Sequence, residues 1–296
     1  MKRLLIGISA VASLLATGAL AADLPAKAPV YDPIYDWTGF YVGGNVGYSW
    51  GNSNSTLSLI DPGAGTTLNS TAIKFHMDGV IGGGQIGYNW QRERWVFGLE
   101  ADIQGSGQAG NGGAICAGGT AAALNSACAP GHTGDTRPFD VPAFAVNSTL
   151  AESLDWFGTV RGRIGYTMTP TILGYVTGGL AYGQVSATDV ISGVNITGPQ
   201  GVNGSTSTPF VGASSSSTLR AGWTLGVGVE GVISGNWTAK LEYLYIDLGN
   251  VSGSFVTPLI APSGALAVSS YNSHITDNIL RVGVNYKFSG PVVARY

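Results

Sequence analysis

The chain alternates. In WTGFYVGGNVGYSW, residues 37–50, Phe40, Val42, Gly44, Val46, Tyr48 and Trp50 share one parity. Tyr41, Gly43, Asn45, Gly47 and Ser49 share the other. Such period-2 patterning predicts a strand with one apolar and one polar face. The pattern recurs, giving eight predicted strands at 37–50, 76–90, 95–105, 153–168, 171–186, 218–233, 236–248 and 276–288. Their connections are ordered in length. Tight turns fall around Arg92-Glu93, Thr169-Pro170 and Gly235-Asn236. Long segments rich in Gly, Ser, Thr, Asn, Ala and Pro fill 51–75, 106–152, 187–217 and 249–275.

Charge obeys the same parity. Glu100 and Asp102 oppose Trp95, Phe97, Leu99 and Ile103. Arg161 and Arg163 oppose Trp156, Val160, Ile164 and Tyr166. Arg220 and Glu230 oppose Leu219, Trp223, Leu225 and Val227. Lys240 and Glu242 oppose Trp237, Leu241 and Tyr243, and Arg281 and Lys287 oppose Leu280, Val282, Val284, Tyr286 and Phe288. Only the end of the seventh strand departs, with Leu244 and Ile246 on the charged parity and Asp247 on the apolar one. A β-bulge or the end of the apolar zone accounts for that equally well.

A soluble sandwich also alternates, so parity alone leaves the apolar face as either a core or a lipid surface. Other features decide. Lys2-Arg3, the apolar run Leu4–Leu20 and the small-residue site Ala19-Leu20-Ala21 form a signal peptide over residues 1–21, cleaved after Ala21. The mature chain then carries 12 basic and 17 acidic residues, a balance that does not suit nucleic acid. Charged residues are 10 % of the chain, well below the ~25 % of ordinary soluble domains. No later apolar run is long enough for a membrane helix. An exported, charge-poor chain of this kind enters a membrane as a closed barrel, which leaves no backbone polar group unpaired in lipid.

The expectation is therefore an all-β protein: an eight-stranded antiparallel up-and-down transmembrane β-barrel over 37–288. Short turns lie in the periplasm and long loops outside. A Pro-rich periplasmic segment, 22–36, precedes it, and a short extension, 289–296, follows. A ten-stranded version with a hairpin inside 106–152 is disfavoured by Pro138 and Pro142.

Small eight-stranded barrels are filled by side chains, and buried charges pair. Glu100, Asp102, Glu230 and Glu242 against Arg161, Arg163, Arg220, Lys240, Arg281 and Lys287 are the expected lumen network, a salt-bridged plug. Expected neighbours are Glu230 with Lys240, and Glu100 and Asp102 with Arg161 and Arg163. Aromatic girdles are expected from Trp37, Tyr48, Trp50, Tyr88, Trp90, Trp95, Trp156, Tyr166, Trp237, Tyr286 and Phe288. In the octapeptides GGNVGYSW and GGQIGYNW the aromatics then belong to opposite girdles, with Trp90 facing Trp95 and Tyr88 facing Phe97. Their glycines Gly43, Gly47, Gly83 and Gly87 leave room inside. Neither octapeptide is followed by Gly-Lys-Ser/Thr or a helix, which excludes a phosphate loop.

DWTGFYVGGNVGYSWG and LRVGVNYKF resemble the small outer-membrane barrels of alphaproteobacteria, in the OmpA-like, porin-annotated group. The AADLP signal end strengthens the likeness. The resemblance implies the bacterial outer membrane as location. Its implied partners are outer-membrane lipids, lipopolysaccharide, the assembly machinery and periplasmic chaperones. It also implies a structural, surface-antigenic role with weak porin-like activity, or, as the alternative, a receptor binding hemin or a host ligand through its loops. The terminal aromatic read on insertion falls at Phe288 or Tyr296.

Other chemistry is sparse. His76 and His274 begin strands at the loop rim and are the candidates for a heme or metal site; His132 lies in a loop. Their spacing matches no metal motif, and no cofactor other than hemin is expected. Cys116 and Cys128 are expected to form a disulfide that staples one loop, as exported cysteines do. Serine is plentiful but lacks a nucleophile elbow or a paired histidine, so no enzyme is expected.

Overall fold

A computed structural model describes residues 35–60, 67–118, 143–197, 206–258 and 266–288. The predicted signal peptide, Cys128 and the disulfide it would complete, His132, and residues 289–296 lie outside them. The barrel belongs to the unit Asp36–Tyr296. It has eight strands: β1 (Gly39–Ile60), β2 (Thr67–Arg92), β3 (Trp95–Gly118), β4 (Ala143–Thr169), β5 (Ile172–Thr197), β6 (Thr206–Ser234), β7 (Trp237–Pro258) and β8 (Leu266–Lys287). Each pairs antiparallel with the next, and β1 closes on β8.

The strands are about twice as long as the alternation suggested. Of the long segments 51–75, 106–152, 187–217 and 249–275, residues 51–60, 67–75, 106–118, 143–152, 187–197, 206–217, 249–258 and 266–275 continue as strand. The reason is visible in which faces are buried. Near the short turns, Leu99, Ile164, Val176, Leu225 and Val282 point outward and are exposed, while charges point inward. Farther along the same strands the pattern inverts. Leu57, Ile73, Phe75, Met77, Leu150, Val185, Ile191, Val251 and Phe255 point inward and are buried. Their outward neighbours there are mostly polar, among them Thr56, Lys74, His76, Gln184, Asn250 and Ser254, with Val190 and Val256 among the apolar exceptions. The near half is built for lipid outside and the far half for water outside.

The far half also changes architecture. The β2–β3 ladder stops at Asp78↔Ala109, and the β6–β7 ladder stops at Trp223↔Asp247. The other six ladders continue nearly to the strand ends. Both seams open at irregularities. Gly105/Gln108 shifts register on β3, and Asp247/Gly249 on β7. Gly249 takes φ +69°, a left-handed conformation that suits glycine, and its N–H donates to Asp247 Oδ1 at 2.8 Å. The ring thus divides into two four-stranded sheets, β3–β6 and β7–β8–β1–β2, whose apolar faces meet. Leu244 and Ile246, the residues that broke the parity rule, belong to this inverted core. The bulge lies directly above them.

Polar bonds cross between the two sheets. On β4, Glu152 accepts from Ser53 of β1 at 2.6 Å and from Ser273 of β8. On β5, Asp189 accepts from Ser269 of β8 at 2.5 Å. Buried polar groups that find partners this way avoid a penalty of about 1–3 kcal/mol each.

The turns set the register. The β2–β3 turn comprises Glu93 and Arg94, with Glu93 at φ 56°. Trp90 therefore faces Phe97, and Tyr88 faces Leu99. The expected Trp90–Trp95 and Tyr88–Phe97 pairs are off by two residues, because the turn centre lies one residue later than expected. Trp95 instead packs edge-on against Tyr166 at 5.3 Å, and Trp90 packs against Tyr88 at 4.7 Å.

Candidate functional site

Inside the near half, all eight strands send a polar side chain into one layer. Arg161 lies at its centre. It donates through Nη1 to Glu242 at 3.1 Å and through Nη2 to Asp102 at 2.9 Å, and it also meets Glu100. Arg281 donates to Glu242 through Nε at 2.7 Å and to Asp102 through Nη2 at 2.9 Å. Lys240 Nζ lies 3.1 Å from Glu100 and 3.6 Å from Glu242. Arg163 pairs with Glu230 at 2.7 Å, and its guanidinium lies 3.9 Å from the centre of the Tyr175 ring. Tyr41 donates to Glu100 at 2.7 Å and Tyr175 to Glu242 at 3.1 Å. Gln85 and Asn285 complete the layer, with Asn285 donating to Glu230 at 2.8 Å.

Glu100, Asp102, Glu230 and Glu242 balance Arg161, Arg163, Lys240 and Arg281, and none is more than 5 % exposed. Ions this deep stay charged only when paired and hydrogen-bonded. The interior glycines make room for them. A side chain at Gly47 would stand 2.7 Å from Arg281 Cβ, and one at Gly87 would strike the Tyr41 ring.

Two of the ten expected network residues lie elsewhere. Arg220 faces inward but sits in the far half beside the β6–β7 seam, donating to the Ser252 carbonyl at 3.5 Å. Lys287 lies at the short-turn mouth and donates to the Asp36 carbonyl. Of the expected neighbours, Glu100 and Asp102 do pair with Arg161, and Glu100 lies 3.9 Å from Arg163, whereas the Glu230–Lys240 pair is not made. Glu230 and Lys240 do face each other in register, yet Lys240 turns to Glu100 and Glu230 to Arg163. A barrel this narrow lets side chains reach across the lumen, which strand order alone does not reveal. Tyr41, Tyr175, Gln85 and Asn285 were missed; their signal was inward parity, without charge.

The girdle residues fall into two belts. Tyr88, Trp90, Trp95, Tyr166, Trp237, Tyr286 and Phe288 form the belt near the turns, and Tyr48, Trp50 and Trp156 lie in the other. Tyr182, Trp223, Tyr243 and Tyr245 add to the second. Trp37 is a correction. It is 1 % exposed and lies inside, and its backbone N–H donates to Gln91 Oε1 at 2.7 Å. Its odd number puts it on the inward parity of Tyr41.

His76 and His274 sit on the outer face of the far half, on strands separated by β1. His274 Nδ1 lies 3.0 Å from Asn250 Oδ1, and Nε2 lies 3.7 Å from Asp247. Among the described residues no group of three His, Cys, Asp or Glu is placed to hold a metal.

Comparison with known proteins places the chain among outer-membrane proteins. The chain is 34 % identical to the 31 kDa outer-membrane immunogenic protein of Brucella melitensis, over 95 % of this chain and 98 % of that protein. It is 27 % identical to a 22 kDa outer membrane protein of Rhizobium leguminosarum bv. viciae, covering 85 % of this chain and 78 % of that one. Among solved structures, the outer membrane protease OmpT of Escherichia coli aligns over 84 % of this chain and 97 % of its own, at 10 % identity and a TM-score of 0.39. Residues 9–288 match the family described as Outer membrane protein beta-barrel domain, and the chain belongs to that family of bacterial outer-membrane proteins.

Proposed function

We propose that this protein is a non-conducting structural barrel that supports the outer membrane and displays a rigid surface domain. The carrying observation is the charge-balanced, ion-paired layer of four acids and four cations across the lumen. Above it, Ile81, Phe157, Leu244, Ile246 and Ile279 add an apolar seal. Water and ions have two unlike barriers to cross, which argues against the weak porin-like activity expected from the resemblance. The relatives named as immunogenic support surface display. No catalytic role is assigned, since the buried acids are engaged in structural pairs. The test is removal of the protein from its bacterium. Loss of resistance to detergent and bile salts, restored by the wild-type chain, is the expected result. An intact envelope in its absence overturns the structural role.

A further inference from the structure

The outer face of the far half is not uniform. On the sheet β3–β6 it includes apolar Val190, Val211 and Leu219, all exposed. On the opposite sheet hydroxyls and amides predominate, with Lys74, His76, His274 and exposed Val256 among them. Two cross-strand rows stand out. Ser252, Asn272 and Thr56 face one another on β7, β8 and β1, and Ser254, Ser270 and Ser58 form the next row. These six side chains line a shallow hollow of about 520 Å³ that carries no charged residue.

Its base is fixed by a close approach. A side chain at Gly253 would stand 2.7 Å from the Tyr271 ring, so glycine lets that buried ring pack beneath the rows. The hydroxyls and amide above are exposed or half-exposed, and only Ser58 spends its hydroxyl on a neighbour, Ser70, at 3.0 Å. A rigid sheet thus presents a two-by-three array of neutral donors and acceptors. Adjacent strands are about 4.8 Å apart, and like-facing residues on one strand are about 7 Å apart. An anion would find no cation in the lining, and an apolar ligand would strand the hydroxyls.

We infer that this hollow binds an uncharged saccharide segment, whose closely spaced hydroxyls can pair with the array from both donor and acceptor sides. Two sources share that chemistry: polysaccharide anchored in the same outer leaflet, and soluble oligosaccharide from outside.

The test uses the folded full barrel in detergent, with heat-modifiable gel mobility as the control for folding. Titrants are polysaccharide released from the bacterium's own outer leaflet, maltohexaose, mannan and galactan oligosaccharides, and a heparin fragment as the anionic control. Wild-type protein should bind at least one uncharged saccharide, with affinity unchanged by added salt. Ser254→Ala/Asn272→Ala, both outward-facing, should weaken that binding by about thirtyfold through the loss of two neutral hydrogen bonds. Thr56→Arg, which leaves the backbone pairing intact, should do the same by intruding on the hollow. Binding of the leaflet polysaccharide alone assigns the site to the membrane's own saccharide. Binding of the soluble oligosaccharides assigns it to an external one. Binding by none of the uncharged titrants, stronger binding of heparin, or equal binding by variants and wild type overturns the inference. None of these outcomes touches the closed lumen, so the structural reading stands or falls separately.

Discussion

Arg281 grips Glu242 with two nitrogens, Nε at 2.7 Å and Nη2 at 2.6 Å from the same carboxylate oxygen. Nη2 also reaches Asp102 at 2.9 Å. Thus β8 is tied to its neighbour β7 and, across the lumen, to β3. Removing this guanidinium leaves carboxylates buried without their counter-charge. Arg281→Met is expected to cost about 3–5 kcal/mol, read as a lower midpoint in urea by tryptophan fluorescence. Adding Glu242→Gln should recover part of the loss. An unchanged midpoint in the single variant would show that the layer does not hold the barrel together.

Trp37 behaves oppositely to its chain neighbours in the belts. Brominated lipid should quench Trp95, Trp223 and Trp237, which are 45–50 % exposed on the apolar face, and leave Trp37 bright. Trp37→Ala should cost about 3–5 kcal/mol as a buried large-to-small change. Equal quenching of Trp37 would place it back in the girdle.

The far half should be separable in stability from the near half. Phe255 is 1 % exposed and stacks on Tyr271 at 5.1 Å. Phe255→Ala is expected to remove about 3–5 kcal/mol. The loss should appear as faster hydrogen exchange in the upper parts of β1, β7 and β8. Exchange near the Arg161 layer should hold its wild-type rate. Uniform acceleration through the whole barrel would contradict two distinct cores.

Glu152 gives the far half a pH dependence. Burial raises its carboxyl above the ordinary range, and the hydroxyls of Ser273 and Ser53 offset this only in part. The folded form therefore holds the proton more tightly than the unfolded form. Its stabilisation is full below about pH 4, the ordinary carboxylate value, and is lost as pH rises through the raised folded value. Opening of the upper strands, followed by exchange, should become easier across that rise. Glu152→Gln, neutral at every pH, should flatten the slope. A slope of opposite sign would contradict the assignment.

The near half was legible because its rule is simple: a charge facing lipid costs about 2–4 kcal/mol, so parity sorts residues such as Arg161 and Val160 reliably. The far half was missed because the same rule runs backwards there. Ile73, Phe75 and Met77 alternate with Lys74 and His76 as strictly as any predicted strand, but with the apolar side turned inward. Leu244 and Ile246 marked the crossover on β7, and an anomaly in parity was its only trace. Glu100 and Asp102 with Arg161 were legible as neighbours on β3 and β4, but partner choice across the lumen was not, since Arg281 and Asp102 lie on strands that are not neighbours and meet only through the barrel's narrow bore. The hollow lined by Ser254 and Asn272 was hidden for a related reason. Its residues come from three strands that looked like loops.

The closed lumen is tested most directly by single-channel recording of the purified, refolded barrel in a planar bilayer at neutral pH. A silent membrane is the predicted result, with the paired layer and the apolar seal both intact. Large, stable conductance steps from the wild-type protein would contradict the account.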